Sequence, residues 1–219
     1  DFSMRRTHGI DASVTVAWAS AIAGFVATSN VEAARRLDLT PAGTMAHSYI
    51  ESFPSERAAF EAFAEDFPQR CTFLVDTYDT LGGVRTAIDV ILTHGMTTGL
   101  GVRLDSGDLD ALSRGARALL DEAGLPHVRI VASGGLDERE VGQLVAAGAP
   151  IDAFGVGTQM GVSYDAPCLE SVYKLVRYDD RPVVKLSAGK QTLPGEKQVF
   201  RGPEGDVLGL RDEELPGDR

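Results

Sequence analysis

Leu100-Gly101-Val102-Arg103-Leu104-Asp105-Ser106-Gly107-Asp108 is an apolar run that breaks into polar residues at its C-terminal end, and other segments share that layout. Upstream, Thr72-Phe73-Leu74-Val75 stops at Asp76. Downstream, Val128 to Ala132 stops at Ser133-Gly134-Gly135, and Asp152 to Val156 stops at Gly157-Thr158. Helical stretches separate these runs: Gly83 to about Leu92, Leu109 to Glu122 with Gly124 and Pro126 as stops, and Asp137 to near Gly148. Four successive β-α units with strands apolar on both faces predict an α/β protein with a parallel sheet. Enzymes of that architecture keep their chemistry at the C-terminal ends of the strands, where this chain turns polar or glycine-rich.

Towards the N-terminus, Phe2-Ser3-Met4-Arg5 reads as a strand and Ser13 to Ile22 as a helix. Gly24 to Thr28 is a short apolar run, and Asn30 is placed to cap a helix over Val31 to Leu37. Pro54-Ser55-Glu56-Arg57 opens another helix, whose Phe60, Phe63 and Phe67 form a stripe that packs on the core. Beyond Pro167 an antiparallel pair is expected, Ser171 to Arg177 and Pro182 to Leu186, with a turn at Asp179-Asp180. From Gly189 the tail is polar, rich in Gly and Pro, and expected to be partly disordered. The expected division is a catalytic α/β core over 1–166 and a β-rich segment with a polar tail over 167–219, part of an incomplete second domain.

At 219 residues, 43% hydrophobic and 24% charged, the composition is that of an ordinary globular protein. A net charge of -11 argues against nucleic acid as a partner, because phosphate contacts need an excess of Lys and Arg. It leaves a phosphate substrate open, since a few local cations and backbone N–H groups suffice. No apolar run approaches the roughly 18 residues of a membrane span, and the polar opening is not a secretory signal. Cys71 and Cys168 are too isolated for a disulfide framework, which points to the cytoplasm. Because the chain opens on Asp1 rather than Met, a fragment lacking an N-terminal part is expected.

Several strings carry candidate chemistry. Arg103 inside an apolar strand needs an anionic partner, and Asp105, Ser106 and Asp108 follow it on a turn. Carboxylates beside a hydroxyl suit a ribose diol or a phosphate-bound Mg²⁺; a helix cap plus an ion pair suits them equally well. Gly134-Gly135 and Gly157-Thr158 end consecutive strands, where backbone amides can converge on a phosphate. His47, within Gly43-Thr44-Met45-Ala46-His47-Ser48, is either structural or a base, ligand or phosphate acceptor. Asp76 is placed to orient His47 or a ribose hydroxyl, and Asp79 to cap the next helix. Arg5-Arg6 is either a pyrophosphate grip or a solvated pair. Metal-ligand spacing is absent, so no metal-ligating set is assigned, and His8, His94 and His127 are left without a role. A Schiff-base aldolase needs a lysine at a strand end, whereas Lys174, Lys185, Lys190 and Lys197 all lie outside the β-α series.

Taken in order, Asp1 to Arg6, Thr28-Ser29-Asn30-Val31, Gly43 to Ser48, Val75 to Tyr78, Gly101 to Leu109, Ala132 to Gly135 and Phe154 to Thr158 resemble the nicotinate phosphoribosyltransferase family. Val172 to Val176 and Pro194 to Val199 extend the likeness over nearly the whole chain. The resemblance implies an irregular (β/α) barrel of the type II phosphoribosyltransferase kind. It also implies an N-terminal domain of substantial length, whose aromatic closes the ring site, often from a neighbouring subunit of a homodimer. The implied reaction joins nicotinate to 5-phosphoribosyl 1-pyrophosphate, coupled to ATP hydrolysis and needing Mg²⁺, in NAD biosynthesis. By the same resemblance His47 is the transiently phosphorylated histidine, and Phe2 stacks on the pyridine ring. Arg5 is a phosphate-side arginine, Thr44 and Arg103 contact nicotinate, and Asp105 meets ribose or Mg²⁺. Gly134, Gly157 and Thr158 take phosphate-cradle positions. The alternatives are a nicotinamide or quinolinate phosphoribosyltransferase and a non-catalytic nucleotide-binding fragment.

Overall fold

The computed structural model describes residues 1–162, 172–203 and 205–213. Its centre is a parallel sheet of β1 (Cys71–Leu74), β2 (Leu100–Leu104), β3 (Arg129–Ser133) and β4 (Ala153–Gly155), adjacent in that order. The connecting helices are α5 (Thr80–Thr93), α6 (Leu109–Glu122) and α7 (Glu138–Ala146). Each begins at a carboxylate that accepts from the first turn: Asp79 from Gly82 N–H, Asp108 from Ala111 N–H and Asp137 from Glu140 N–H. Phe73, Val102, Leu104, Ile130 and Ala132 are fully buried, which explains the uninterrupted apolar character of the strands. Each such large side chain contributes about 1.5–3 kcal/mol on burial.

The N-terminal part is helical: α1 (Ile10–Ile22), α2 (Val31–Leu37), α3 (His47–Ser52) and α4 (Glu56–Asp66). Asn30 caps α2 by accepting from Ala33 N–H, and Ser55 caps α4 by accepting from Ala58 N–H. Phe60 on α4 is buried against Phe73 on β1, ring centroids 5.0 Å apart, while Phe63 is half-buried and Phe67 is exposed past the helix end. The aromatic stripe thus packs on the core at one end and fades towards the other.

Two expectations are corrected. Phe2-Ser3-Met4-Arg5 is not a strand, because Met4–Arg6 forms a 3₁₀ turn. The Asp1 carboxylate accepts from Ser3 N–H and Ser3 C=O accepts from Arg6 N–H, so the chain bends where a strand would run on. The expected antiparallel pair shrinks to β5 (Arg177–Tyr178) and β6 (Arg181–Pro182), with Asp179 left-handed at the turn; Ser171 and the proposed boundary at 166/167 lie outside the described residues. The tail carries a hairpin of β7 (Lys197–Gly202) and β8 (Gly205–Leu210), which is compatible with the expected β-rich segment. A short helix α8 (Thr158–Gly161) follows β4. Among the described residues no helix is long and apolar enough to cross a membrane.

Candidate active site

The register of the sheet assembles the site. Leu104 pairs with Ala132, so Asp105 and Ser133 lie side by side at neighbouring strand ends. Arg103 shares the face of Asp105 and fans out its donors: Nε to Ser133 Oγ (2.8 Å), Nη1 to Thr44 Oγ1 (2.6 Å) and Nη2 to Asp105 Oδ1 (2.6 Å). The pair is largely shielded, with the Arg103 and Asp105 side chains 14% and 13% exposed. Arg103 Cζ also lies 5.5 Å from the centroid of the Phe2 ring.

Phe2 is placed by backbone as much as by packing. Its N–H donates to Val156 C=O (2.7 Å), running the N-terminal segment past the end of β4. A Cβ on Gly155 would sit 2.8 Å from the Phe2 ring, and one on Gly157 would sit 2.6 Å from Phe2 C=O. These close approaches account for glycine at both positions. Gly134 is left-handed (φ +103°), and a Cβ there would strike Asp105 C=O. Gly135 is left-handed and open to solvent, and Thr158 starts α8.

His47 begins α3 and points its imidazole into the acidic end of the sheet. Nδ1 is 3.0 Å from Thr77 Oγ1; Nε2 is 3.5 Å from Asp105 Oδ2 and 3.9 Å from Asp76 Oδ1. Nε2 and Asp76 Oδ1 are both buried without a hydrogen-bond partner. Thr77, rather than Asp76, is therefore the residue that orients the ring. Asp76 instead accepts from Ser106 Oγ through Oδ2 and from Ser187 Oγ through its carbonyl.

The Asp105 carboxyl is tightly contested. Burial raises its pKa, but His47, the charges of Arg103 and Lys190, and the Ser133 hydrogen bond outweigh that and hold it well below the usual carboxylate range. Lys190 Nζ reaches Asp105 from the C-terminal segment, donating to its carbonyl and lying 3.5 Å from Oδ2. Lys185 is buried nearby; burial lowers its pKa, and the charges of Asp76 and Asp105 oppose the shift.

Sequence spacing offers no metal-ligating set, yet His47, Asp76 and Asp105 bring one ligand atom each within 4.8 Å of one another. They fall at equal intervals along the chain, too far apart for any local contact, so only the fold makes them neighbours. Of the other candidates, Phe2, Thr44, Arg103, Ser106 and Gly134 join this constellation. Gly157 lies under the Phe2 backbone at the next strand end, Thr158 follows it at the start of α8, and Gly135 lies beside Gly134. Arg5 does not join it: the 3₁₀ turn leaves Arg5 exposed, without a hydrogen bond or ion pair to the cluster among the described residues. Asp108 serves as a helix cap. Thr77, Ser133, Lys185 and Lys190 are the residues sequence reasoning left unassigned. Of these, Thr77 and Ser133 lay in strings already singled out, Val75 to Tyr78 and Ala132 to Gly135.

The geometry has counterparts. The model of the "Nicotinate phosphoribosyltransferase (NAPRTase) family" matches residues 1–195. The chain is 53% identical to Mycobacterium tuberculosis nicotinate phosphoribosyltransferase pncB2, covering 100% of this chain and 48% of that protein. It is 43% identical to the Bacillus subtilis nicotinate phosphoribosyltransferase, covering 98% of this chain and 47% of that one. The crystal structure of nicotinate phosphoribosyltransferase from Porphyromonas gingivalis superposes with a TM-score of 0.73 at 26% identity, covering 87% of this chain and 55% of that chain. The chain thus spans about half the length of the curated relatives it matches. A match running from Asp1 to Gly195, through every strand end that builds the site, places the chain in the nicotinate phosphoribosyltransferase family.

Proposed function

We propose that the protein of which this chain forms the described part condenses nicotinate with 5-phosphoribosyl 1-pyrophosphate, giving nicotinate mononucleotide and pyrophosphate for NAD biosynthesis. The observation that carries this reading is Arg103, a shielded guanidinium 5.5 Å from the Phe2 ring centroid. A flat aromatic acid needs both an aromatic face and a fixed cation, and a neutral amide needs no such charge. Thr44, hydrogen-bonded to Arg103, would share the carboxylate.

Bond breaking at the ribose anomeric carbon leaves an oxocarbenium-like centre and a departing diphosphate, so the protein's task is to orient the ring nitrogen and stabilise the anion. The lysines and the turns at Gly134-Gly135 and Gly157-Thr158 are the candidates for holding phosphate oxygens. Asp76 and Asp105 would hold Mg²⁺ or a ribose hydroxyl, and the partnerless Asp76 Oδ1 and His47 Nε2 fit a site that awaits a ligand. Bound Mg²⁺ would neutralise diphosphate charge. Arg5 would contribute only if another part of the assembly brings substrate to it.

ATP coupling runs through His47. With its proton on Nδ1 facing Thr77 Oγ1, the imidazole offers the Nε2 lone pair to the γ-phosphorus: the N–P bond forms as the bond to ADP breaks. In the whole protein the parallel sheet would close into the irregular barrel of type II phosphoribosyltransferases. A cytoplasmic homodimer, with the 167–219 segment belonging to a second domain, completes the proposal. In the full chain, His47→Ala should abolish acid-labile ³²P incorporation from γ-labelled ATP and cut nicotinate-stimulated ATP hydrolysis at least a hundredfold. Undiminished stimulated hydrolysis would sink the phosphohistidine role.

A further inference from the structure

We propose that Ser133 is a positioning residue for this site, holding Arg103 in the orientation that receives the substrate carboxylate while restraining Asp105 beside it. The inference rests on the nicotinate reading above and adds a residue to it.

Ser133 ends β3, is 2% exposed, and pairs with Gly155 on β4, the glycine that makes room for the Phe2 ring. Its hydroxyl has one proton to give. It accepts from Arg103 Nε (2.8 Å) and donates to Asp105 Oδ1 (2.6 Å), the same oxygen that accepts from Arg103 Nη2. Ser133, Arg103 and Asp105 thus close a triangle of hydrogen bonds.

The geometry of the guanidinium explains why the triangle matters. A planar guanidinium held only by Nη1 and Nη2 can still rock about those two contacts, and the Nε contact to Ser133 fixes its plane. With Nε anchored, one N–H on each of Nη1 and Nη2 stays unassigned among the described contacts, and together they form the fork that suits a bidentate carboxylate. Without the hydroxyl, Arg103 Nε–H would be buried and unpaired, and Asp105 would draw the guanidinium towards itself. Binding of the aromatic acid would weaken most, because Asp105 keeps Lys190 and its own backbone position while Arg103 loses its only Nε contact.

Steady-state kinetics on the full chain test this. Ser133→Ala should raise KM for nicotinate about tenfold, with KM for phosphoribosyl pyrophosphate raised clearly less and kcat lowered less than the nicotinate KM is raised. Ser133→Cys, which fills the space with a poor hydrogen-bonding group, should do the same if the Ala variant proves unstable. In an Arg103→Ala background, Ser133→Ala should have little further effect on the nicotinate KM, because its route to the substrate carboxylate is through the missing guanidinium. A wild-type nicotinate KM in both serine variants, or an undiminished effect without Arg103, would overturn the assignment. Failure of the parent protein to turn over nicotinate at all would instead overturn the reading on which it rests.

Discussion

Asp105 collects Arg103, Ser133, Lys190 and the His47 ring around one carboxylate, and it does so inside the protein. Removing one side of such a shielded pair costs about 3–5 kcal/mol, far more than an exposed ion pair returns. A second carboxyl behaves in the opposite sense. Glu56 opens α4, its Oε1 is buried without a hydrogen-bond partner, and burial, then the charges of Asp79 and Asp76, push its pKa up to about 7. Because the folded value lies above the ordinary 4.5, the stability tied to the protonated form is fully present below pH 4.5 and is lost as pH rises through about 7. Glu56→Gln, neutral throughout, should remove that loss. Urea unfolding is expected to show the variant about 1 kcal/mol more stable than the parent at pH 8, with the difference vanishing towards pH 4.5. A constant offset across the range would contradict the assignment.

Helices meet strands here at glycine. A Cβ on Gly83, near the start of α5, would collide with the carbonyl of Val75, just after β1, and the obstacle is backbone that cannot swing aside. Gly83→Ala should therefore destabilise by about 3 kcal/mol, as forced overpacking does. Gly142, midway along α7, meets nothing within 4 Å. Gly142→Ala is expected to stabilise by about 0.5–1 kcal/mol, the ordinary helix-propensity gain. Chemical denaturation of the two variants side by side reads both signs.

The same scale shows what a linear sequence reveals. Helix starts at Asn30, Ser55, Asp79, Asp108 and Asp137 were legible because capping is a local contact, completed within three residues. β1 and β2 were legible because burial on both faces leaves runs that are almost wholly apolar, and β3 and β4 because a short apolar run ends in serine or glycine. The Met4–Arg6 turn was not, because it depends on the Asp1 side chain reaching Ser3 N–H. The β7–β8 hairpin was hidden by composition, its pairing resting on backbone hydrogen bonds while Val199, Val207 and Leu208 remain exposed. At the site, Arg103 and Asp105 announced themselves as charges within or just after an apolar strand. Thr77 and Ser133 gained their roles from their neighbours in the folded sheet, which no local pattern encodes. Lys190 acts on Asp105 across 85 positions of chain and left no signal.

For the molecule as a whole, the N-terminal helices carry an uncovered apolar surface. Ile10, Trp18 and Ile22 recur along α1 at 73%, 52% and 68% exposure, and Val26 and Val31 continue the patch at 90% and 70%. Trp18 is the only tryptophan of the chain, so its fluorescence reports on this surface alone. In the 219-residue chain, Trp18 should emit at the red end of the protein range and be quenched efficiently by acrylamide. A blue-shifted, poorly quenched emission would mean that the patch is covered.

The order in which a ribosome delivers these parts has its own consequence. All four parallel strands leave the exit tunnel before Ser187 and Lys190, which reach back to Asp76 and Asp105. A nascent chain halted in that interval can hold its sheet and its histidine while the strand end at Asp76 still lacks the Ser187 hydroxyl and the one at Asp105 the Lys190 ammonium. Translation that stops short of Lys190 therefore yields a body with a well-formed interior whose Asp105 carboxylate still lacks the ammonium that reaches it from the C-terminal segment.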